Sequence, residues 1–211
     1  MFRIRGFLFA LISLSSFAAS ADPIEGIEYR SIAPNLVETG AKIEVREFFW
    51  YGCSHCYTFE PHLERWLAKL PKNVQFVRMP AVFKDPWPIH ARTYYTFLAM
   101  GILDKMHRPF FDAMHLDRLP LSDPESIADF VKKQGVDRAA FLNAYNSFSV
   151  ETKTARAKFA MQTYGIESVP TIVVDGKYLT SPQMAGGHDL VLSVVDYLVG
   201  KAAAERAARR K

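Results

Sequence analysis

Two cysteines, Cys53 and Cys56, lie three positions apart where one pattern of hydrophobic residues ends and another begins. The preceding segment, 42–50, alternates in polarity and ends in an aromatic run, which is typical of a strand that enters a core. From Ser54 to Pro71, apolar residues recur mostly at spacings of three and four, which predicts a helix. The two cysteines are therefore expected at a strand-to-helix junction, which indicates a fold that mixes strands and helices.

The remaining patterns predict a β-α-β unit, then a helical block, then a hairpin with a closing helix. Segment 74–79 is β-branched and aromatic, so it is predicted to be a second strand. Segment 91–116 has helical periodicity that is interrupted near Gly101 and Pro109. The later predicted elements are helices capped by Asp123 and Asp137, a helix over 149–164, a hairpin over 171–180 with an Asp-Gly turn, and a last helix over 188–199 that ends at Gly200.

The N-terminus has the three parts of a secretory signal peptide, which is predicted to cover 1–21. A charged start is followed by an apolar stretch over 7–17 and by an A-x-A cleavage site that ends at Ala21. This stretch is shorter than the ~20 residues that a membrane-spanning helix needs. We therefore expect cleavage near Asp22 and export of the mature chain.

The charge of the chain gives little support for a nucleic-acid partner. The formal net charge is +4 at pH 7 and falls to +2 once the two leader residues Arg3 and Arg5 are subtracted. The basic excess that remains lies mostly in the tail 201–211, which is interpreted as a fraying helix end. The sequence has no recognisable dimerisation segment, so a monomer is expected.

The cysteine pair is better suited to chemistry than to holding the fold together. A disulfide that closes so short a loop removes little entropy from the unfolded chain. A C-x-x-C pair is usually a redox dithiol or half of a zinc site, and zinc needs about four ligands. None of the six histidines completes a recognised zinc spacing. Redox use is therefore predicted and no metal is expected, with metal binding left open as an alternative.

Position within the motif distinguishes the two sulfurs. At a helix N-terminus, unpaired N–H groups and the helix dipole stabilise an anion, so Cys53 is expected to be the exposed nucleophile with a lowered pKa. Cys56, one turn further in, is expected to be the shielded partner. His55 either favours the Cys53 thiolate further or is simply a solvated helix residue. A stabilised thiolate favours the reduced form and makes the disulfide a stronger oxidant.

Residues 47–60, Glu-Phe-Phe-Trp-Tyr-Gly-Cys-Ser-His-Cys-Tyr-Thr-Phe-Glu, resemble the active-site region of the DsbA family of bacterial periplasmic disulfide oxidases. Val169-Pro170-Thr171 and the following hairpin resemble that family's cis-proline loop and strands. The resemblance covers about 42–199 and implies an α/β thioredoxin fold with an inserted all-helical domain. The implied domains are the signal peptide 1–21, a discontinuous thioredoxin-like domain 22–84 and 150–200, a helical insertion 85–149, and a basic Ala/Arg-rich tail 201–211.

The resemblance also implies roles for individual residues. Cys53 would be the sulfur that substrates attack, and Cys56 would be its disulfide partner. Pro170 would be a cis-proline, and the Val169 backbone would pair with an extended substrate segment. Glu47 would lie beneath the active site and would shuttle a proton to or from Cys56.

Two further positions bear on how strong an oxidant the protein is. Ser54 stands where the best-known family members have proline, which frees one backbone N–H near the thiolate and leaves the redox potential open. Arg78 stands about where the family has a buried basic partner for Glu47. Arg78 is expected either to pair with Glu47 or to point to solvent.

The activity that the resemblance implies is donation of the Cys53–Cys56 disulfide to reduced or unfolded exported proteins in the periplasm of a Gram-negative bacterium. A quinone-linked inner-membrane partner of the DsbB type would reoxidise the enzyme, which would need no bound cofactor. One alternative is a disulfide isomerase or reductase. The resembling isomerases, however, have an N-terminal dimerisation domain, and the roughly 20 residues between the predicted cleavage site and the first core strand are too few for one. Alternatives from other classes are a metal-binding protein and a peptide-binding chaperone.

Overall fold

The computed structural model describes residues 21–209, which form a mixed α/β fold. Its strands are β1 (Arg30–Ser31), β2 (Ile43–Phe49), β3 (Val74–Pro80), β4 (Thr171–Val174) and β5 (Tyr178–Thr180), and they form one sheet in the order β1-β5-β4-β2-β3. Its helices are α1 (Ser54–Leu67), α2 (Trp87–Ala99), α3 (Leu103–His115), α4 (Pro124–Lys133), α5 (Arg138–Tyr145), α6 (Phe148–Tyr164), α7 (Pro182–Ala185) and α8 (His188–Ala208).

Strand β2 lies inside the sheet and is buried along its whole length. It runs parallel to β3 and antiparallel to β4, so both of its edges are paired. Val45 belongs to the core cluster on one face of the sheet, and Phe48 belongs to the cluster on the other face. Protein covers both faces, so Phe48 is buried. The charged residues Glu44 and Arg46 on the same face are buried as a pair, with Nε 2.7 Å from Oε1.

Helices α2 to α6 lie between β3 and β4 along the chain, as expected for a helical insertion in an α/β fold. Asp123 and Asp137 accept the N–H groups of Ser126 and Ala140 and so cap α4 and α5, which confirms the predicted starts of these helices. The domain boundaries themselves stay a prediction. The core of the insertion is strongly aromatic and includes the fully buried side chains of Phe97, Phe110, Phe111 and Phe141.

Helix α8 is longer than its sequence pattern predicts. It continues through Gly200 to Ala208, so the expected end at Gly200 is wrong. A glycine inside a helix costs only about 1 kcal/mol relative to alanine, and the segment that follows is rich in alanine, the best helix former. Arg206 also binds the buried carboxylate of Asp175, with Nε 3.1 Å from Oδ2. The segment 201–208 is therefore a packed part of the helix and not a fraying end.

The helical block also differs from expectation at Pro109 and at the start of its first helix. Helix α3 continues through Pro109, whereas Gly101, with φ +68°, does separate α2 from α3. Helix α2 begins at Trp87 instead of near Ala91. Pro88 lies in its first turn, where a missing N–H costs no helical hydrogen bond.

Within the described range, the helices lack the combination of length and apolar character that crossing a membrane requires. The predicted signal peptide lies outside the described residues, apart from Ala21.

Candidate active site

The two cysteines lie at the junction between β2 and α1, as the sequence predicts. Strand β2 ends at Phe49, a turn over 50–52 follows, and Cys53 is the N-cap of α1. The Cys53 sulfur accepts the backbone N–H of Cys56 at 3.4 Å. Both cysteines are free thiols, with Cys53 partly exposed and Cys56 buried. The geometry is therefore that of the dithiol form.

The two thiols have opposite electrostatic environments. A hydrogen bond from the Cys56 side chain is the largest of the effects that lower the pKa of Cys53 to about 6, against the opposing effect of partial burial. The backbone N–H groups of Cys56 and His55 and the charge of the His55 ring act in the same direction. Burial is the main reason why the pKa of Cys56 lies well above its ordinary value, and the hydrogen bond with Cys53 adds to it.

The two residues between the cysteines, Ser54 and His55, are exposed. The N–H groups that lower the pKa of Cys53 belong to His55 and Cys56. The N–H that Ser54 supplies in place of proline is thus not among the largest contributions to the stability of the thiolate.

The loop before β4 lies against Cys53 although it is 116 residues further along the chain. Phe48 of β2 pairs with Thr171 of β4, and this pairing brings Val169 and Pro170 to the end of β2 where Cys53 lies. The Val169–Pro170 peptide bond is cis, and the Val169 carbonyl oxygen accepts the Cys53 thiol at 3.5 Å. The Val169 N–H makes no hydrogen bond to the rest of the described chain.

A group of buried polar side chains lies near the cysteines. Glu47 of β2 stands directly opposite Arg78 of β3, and Arg78 Nε lies 3.3 Å from Glu47 Oε2. Arg78 therefore faces Glu47 and not solvent. Its Nη2 group donates to Glu60 Oε2 of α1 at 3.0 Å. By contrast, neither carboxylate oxygen of Glu47 accepts a well-aligned hydrogen bond from any residue that the structure describes.

Glu60 is also held by helix α3. His107 Nε2 lies 3.5 Å from Glu60 Oε1, and His107 Nδ1 lies 2.8 Å from the hydroxyl of Tyr51. Burial lowers the pKa of His107, which favours its neutral ring. Burial alone would raise the pKa of Glu60, but the hydrogen bond from His107 and the charge of Arg78 lower it. Glu60 is thus the carboxylate that neutralises Arg78.

Of the two buried carboxyl groups, Glu47 therefore binds a proton more readily than Glu60 does. Burial, followed by the charge of Glu60, raises the pKa of Glu47 to about 8 despite the nearby Arg78. The charge of Glu47 is in turn one of the causes that raise the pKa of Cys56. A carboxyl group with this pKa can hold or release a proton near neutral pH.

The structure brings Cys53, Cys56, Val169 and Pro170 together and places Glu47 among the buried groups that act on Cys56. Glu60 and His107 are two site residues that were not predicted from the sequence. The sequence does contain an indication for Glu60. It lies four positions after Cys56 and therefore shares the buried face of α1, and a charged residue on a buried face needs a partner. No local pattern indicates that His107 of α3 is that partner.

Two cavities open beside the contact between Cys53 and Val169. One, of about 610 Å³, is bordered by His55, Pro170 and His188 among others, and the second, of about 460 Å³, is bordered by Trp50, Phe83 and Trp87 among others. Over residues 21–209, no group of three or more His, Cys, Asp or Glu side chains is arranged to hold a metal ion.

The chain is similar to known proteins along most of its length. Residues 88–198 match the family described as the DSBA-like thioredoxin domain. The thiol:disulfide interchange protein DsbA of Pseudomonas aeruginosa PAO1 is 42% identical over 206 residues, which cover 97% of this chain and 96% of the relative. The DsbA of Azotobacter vinelandii is 43% identical over 193 residues, covering 91% and 90%. The crystal structure of Pseudomonas aeruginosa DsbA aligns with a TM-score of 0.84 and 42% identity, covering 90% of this chain and 97% of that one.

Proposed function

Since the chain belongs to the DsbA family of thiol:disulfide interchange proteins, we propose that Cys53 and Cys56 are the redox-active pair of a disulfide donor. The protein is a thiol-disulfide oxidoreductase that acts on substrate proteins in oxidative folding. The observation that carries the proposal is the placement of the two thiols: Cys53 is partly exposed, caps α1 and accepts the Cys56 N–H, whereas Cys56 is buried. This placement lowers the pKa of Cys53 to about 6 and raises the pKa of Cys56 well above its ordinary value. A thiolate that is stabilised in the dithiol form makes the disulfide form a strong oxidant.

Disulfide donation begins at Cys53, because it is the exposed sulfur of the pair. A substrate thiolate attacks the Cys53 sulfur, the bond between Cys53 and Cys56 breaks, and a mixed disulfide forms at Cys53. Cys56 leaves as a thiolate, and its raised pKa means that it takes up a proton at neutral pH. Glu47, with a pKa of about 8, is the proposed donor of that proton.

The second step releases the substrate. Its second thiolate attacks the substrate sulfur of the mixed disulfide, and Cys53 departs as a thiolate, for which its low pKa makes it a good leaving group. Two substrate thiols are thereby oxidised to one disulfide, and the enzyme disulfide is reduced to a dithiol by the same two electrons. The Val169 N–H and carbonyl are the proposed backbone partners of the substrate strand at Cys53.

The cellular setting of the reaction is part of the proposal. The predicted signal peptide over 1–21 and the family together support a periplasmic protein whose substrates are reduced or unfolded exported proteins. A quinone-linked inner-membrane reoxidase of the DsbB type would return the dithiol to the disulfide. Membrane vesicles that contain such a reoxidase should reoxidise the reduced protein, and vesicles depleted of quinone should not.

The decisive experiment is the equilibrium redox potential of the Cys53–Cys56 pair in glutathione buffers. Trp50, three residues before Cys53, provides a fluorescence signal for the transition. A value close to the DsbA reference of about −120 mV would support a disulfide donor, whereas a value close to the thioredoxin reference of about −270 mV would favour a reductase or isomerase. The Cys53→Ser variant serves as the control, because it cannot form the disulfide and should show no transition.

A further inference from the structure

A groove of about 960 Å³ is bordered by helix α6 and by the segment 34–38, and its lining residues differ from those of the two cavities beside Cys53. Three large apolar side chains at its border are well exposed, Leu36 by 94%, Phe148 by 82% and Phe159 by 70%. Single exposed apolar side chains are common on protein surfaces, whereas a group of them around one groove indicates a binding site. The volume is within the range of ~300–1,000 Å³ that is usual for small-molecule sites.

A buried cation, Arg46 of β2, also borders the groove, and only 3% of its side chain is exposed. Its Nε donates to Glu44 Oε1 at 2.7 Å, and its guanidinium carbon lies 5.5 Å from the centre of the Tyr164 ring. Its Nη2 group is buried and has no hydrogen-bond partner among residues 21–209. A buried donor group without an acceptor costs free energy, and an acceptor supplied by a ligand would remove that cost.

The side chain of Glu38 lies where the acceptor of a ligand would be placed. Its Oε2 is 3.9 Å from Arg46 Nη2, which is too far for a hydrogen bond, and 78% of its side chain is exposed. The backbone N–H of Glu38 donates to Glu44 Oε2 at 3.0 Å, so the backbone is held in place independently of the side chain. An anionic group can therefore replace the Glu38 carboxylate beside Arg46 when that side chain turns to solvent.

We propose that this groove binds an alkyl carboxylate, the chemistry of a fatty acid, with its carboxylate on Arg46 Nη2 and its alkyl chain against the apolar side chains of α6. A hydrogen bond between a guanidinium and a carboxylate is strong because both groups are charged. The local charges favour a monoanion over a phosphate ester, because Arg46 already lies beside the carboxylates of Glu44 and Glu38. The groove lies apart from the cysteines, so this inference goes beyond the proposed function and does not depend on it.

Titration calorimetry with decanoate tests the proposal, at neutral pH and below the concentration at which decanoate forms micelles. Decanol has the same alkyl chain without the charge and is the matched ligand control. We expect decanoate to bind at least about ten-fold more tightly than decanol, because only decanoate supplies an anionic acceptor to Arg46. Decyl phosphate should bind no more tightly than decanoate.

Two variants locate the binding site while Arg46 stays in place, since its removal would leave Glu44 buried without this partner. Glu38→Gln removes the competing carboxylate and should tighten the binding of decanoate roughly two- to five-fold, with no effect on decanol. Ala155→Trp puts a large side chain into the groove from the exposed face of α6 and should weaken both ligands by about ten-fold or more. Leu116→Ala is the control, because Leu116 directly follows α3, lies outside the groove and is 65% exposed, and it should change neither affinity.

Equal affinities for decanoate and decanol, or no binding of either, would overturn the proposal. It would also be overturned if Ala155→Trp left the affinity for decanoate unchanged, because the ligand would then bind elsewhere, or if Glu38→Gln did not tighten the binding. Tighter binding of decyl phosphate than of decanoate would rule out the carboxylate in favour of a phosphate group. Each of these outcomes leaves the redox role of Cys53 and Cys56 intact.

Discussion

Cys53 and Cys56 are both cysteines, but the fold lowers the pKa of the first and raises the pKa of the second. Cys53 caps α1, is partly exposed and receives hydrogen bonds that stabilise its anion. Cys56 is buried one turn further along the helix, where burial disfavours its anion. The same contrast separates the two buried carboxyl groups. Glu60 has His107 and Arg78 as hydrogen-bond partners, whereas neither oxygen of Glu47 accepts a well-aligned hydrogen bond within the described part of the chain. Burial disfavours the charged form of both Cys56 and Glu47, and hydrogen bonds offset this effect at Cys53 and Glu60.

The Glu47→Gln variant tests the proposed proton donor, because it preserves the shape of the side chain and removes its titrating group. We expect disulfide donation to slow by up to about 10²-fold at neutral pH, at the lower end of the range for general acid–base catalysis. In the parent protein the protonated carboxyl is depleted as the pH rises through about 8, so the advantage over the variant should shrink there. Rapid-mixing rates with a dithiol peptide, measured across this pH range, provide the profile.

Glu64→Gln is the matched control for this variant, since Glu64 lies on the exposed face of the same helix α1. It should retain both the rate and the pH profile of the parent. If Glu47→Gln also retained the profile, Glu47 would not be the group that exchanges a proton with Cys56.

At the scale of elements, helix α8 shows how a tertiary contact extends a helix past a local stop signal. Asp175 lies in the turn between β4 and β5 with φ +54°, and its side chain is buried. Its carboxylate binds Arg206 of α8 and lies 3.3 Å from Lys177 Nζ. The last turns of α8 are thus tied to the hairpin that follows the active-site loop.

The Arg206→Ala variant is expected to lower the free energy of unfolding by about 1–3 kcal/mol, because among residues 21–209 the buried Asp175 carboxylate would keep only Lys177 as its cation. Urea unfolding monitored by circular dichroism measures this change. The Arg209→Ala control removes an exposed arginine at the end of the same helix and should change stability by no more than about 0.5 kcal/mol. Equal losses in the two variants would mean that the Asp175 contact does not stabilise the helix end.

At the scale of the whole molecule, the active site is assembled from three distant parts of the chain. The β2-α1 junction supplies Cys53, the helical insertion supplies His107, and the loop before β4 supplies Val169. The pairing of β2 with β4 brings Cys53 and Val169 together, and Glu60 of α1 brings His107 to the site. The redox state of the pair is therefore coupled to the stability of the complete fold.

This coupling predicts a pH-dependent difference in stability between the dithiol and disulfide forms. A thiol whose pKa is lowered by folding stabilises the folded state above its unfolded pKa, and this stabilisation is lost as the pH falls through the folded value. For Cys53 the window runs from the ordinary value of 9.0 down to about 6. The dithiol form should therefore lose stability relative to the disulfide form as the pH decreases from about 9 to 6.

Thermal unfolding of both forms at several pH values within this window measures the difference. The titration of Glu47 is present in both forms, so it largely cancels in the comparison, and Cys56 stays protonated because its pKa is raised. A difference in stability that did not vary with pH would contradict the lowered pKa of Cys53.

Features that depend on neighbouring residues could be predicted from the amino-acid sequence. Three such features are the helix caps at Asp123 and Asp137, the Asp-Gly hairpin, and the position of Cys53 at the start of α1. Each depends on side chains and backbone groups that are only a few positions apart. The resemblance of 47–60 to a known active site likewise identified the chemistry. The family comparisons confirm the thiol-disulfide oxidoreductase.

Contacts between groups that are distant in sequence become visible only in the folded protein. No local sequence pattern could establish four of these features. They are the contact of Glu60 with His107, the orientation of Arg78 towards Glu47, the stacking of Trp50 on Trp87 and the extension of α8 past Gly200. Each depends on burial and on distances between atoms that the packing of separate elements sets. Electrostatic energies change steeply with both quantities, so the properties that distinguish Cys53 from Cys56, and Glu47 from Glu60, emerge only when the fold is complete.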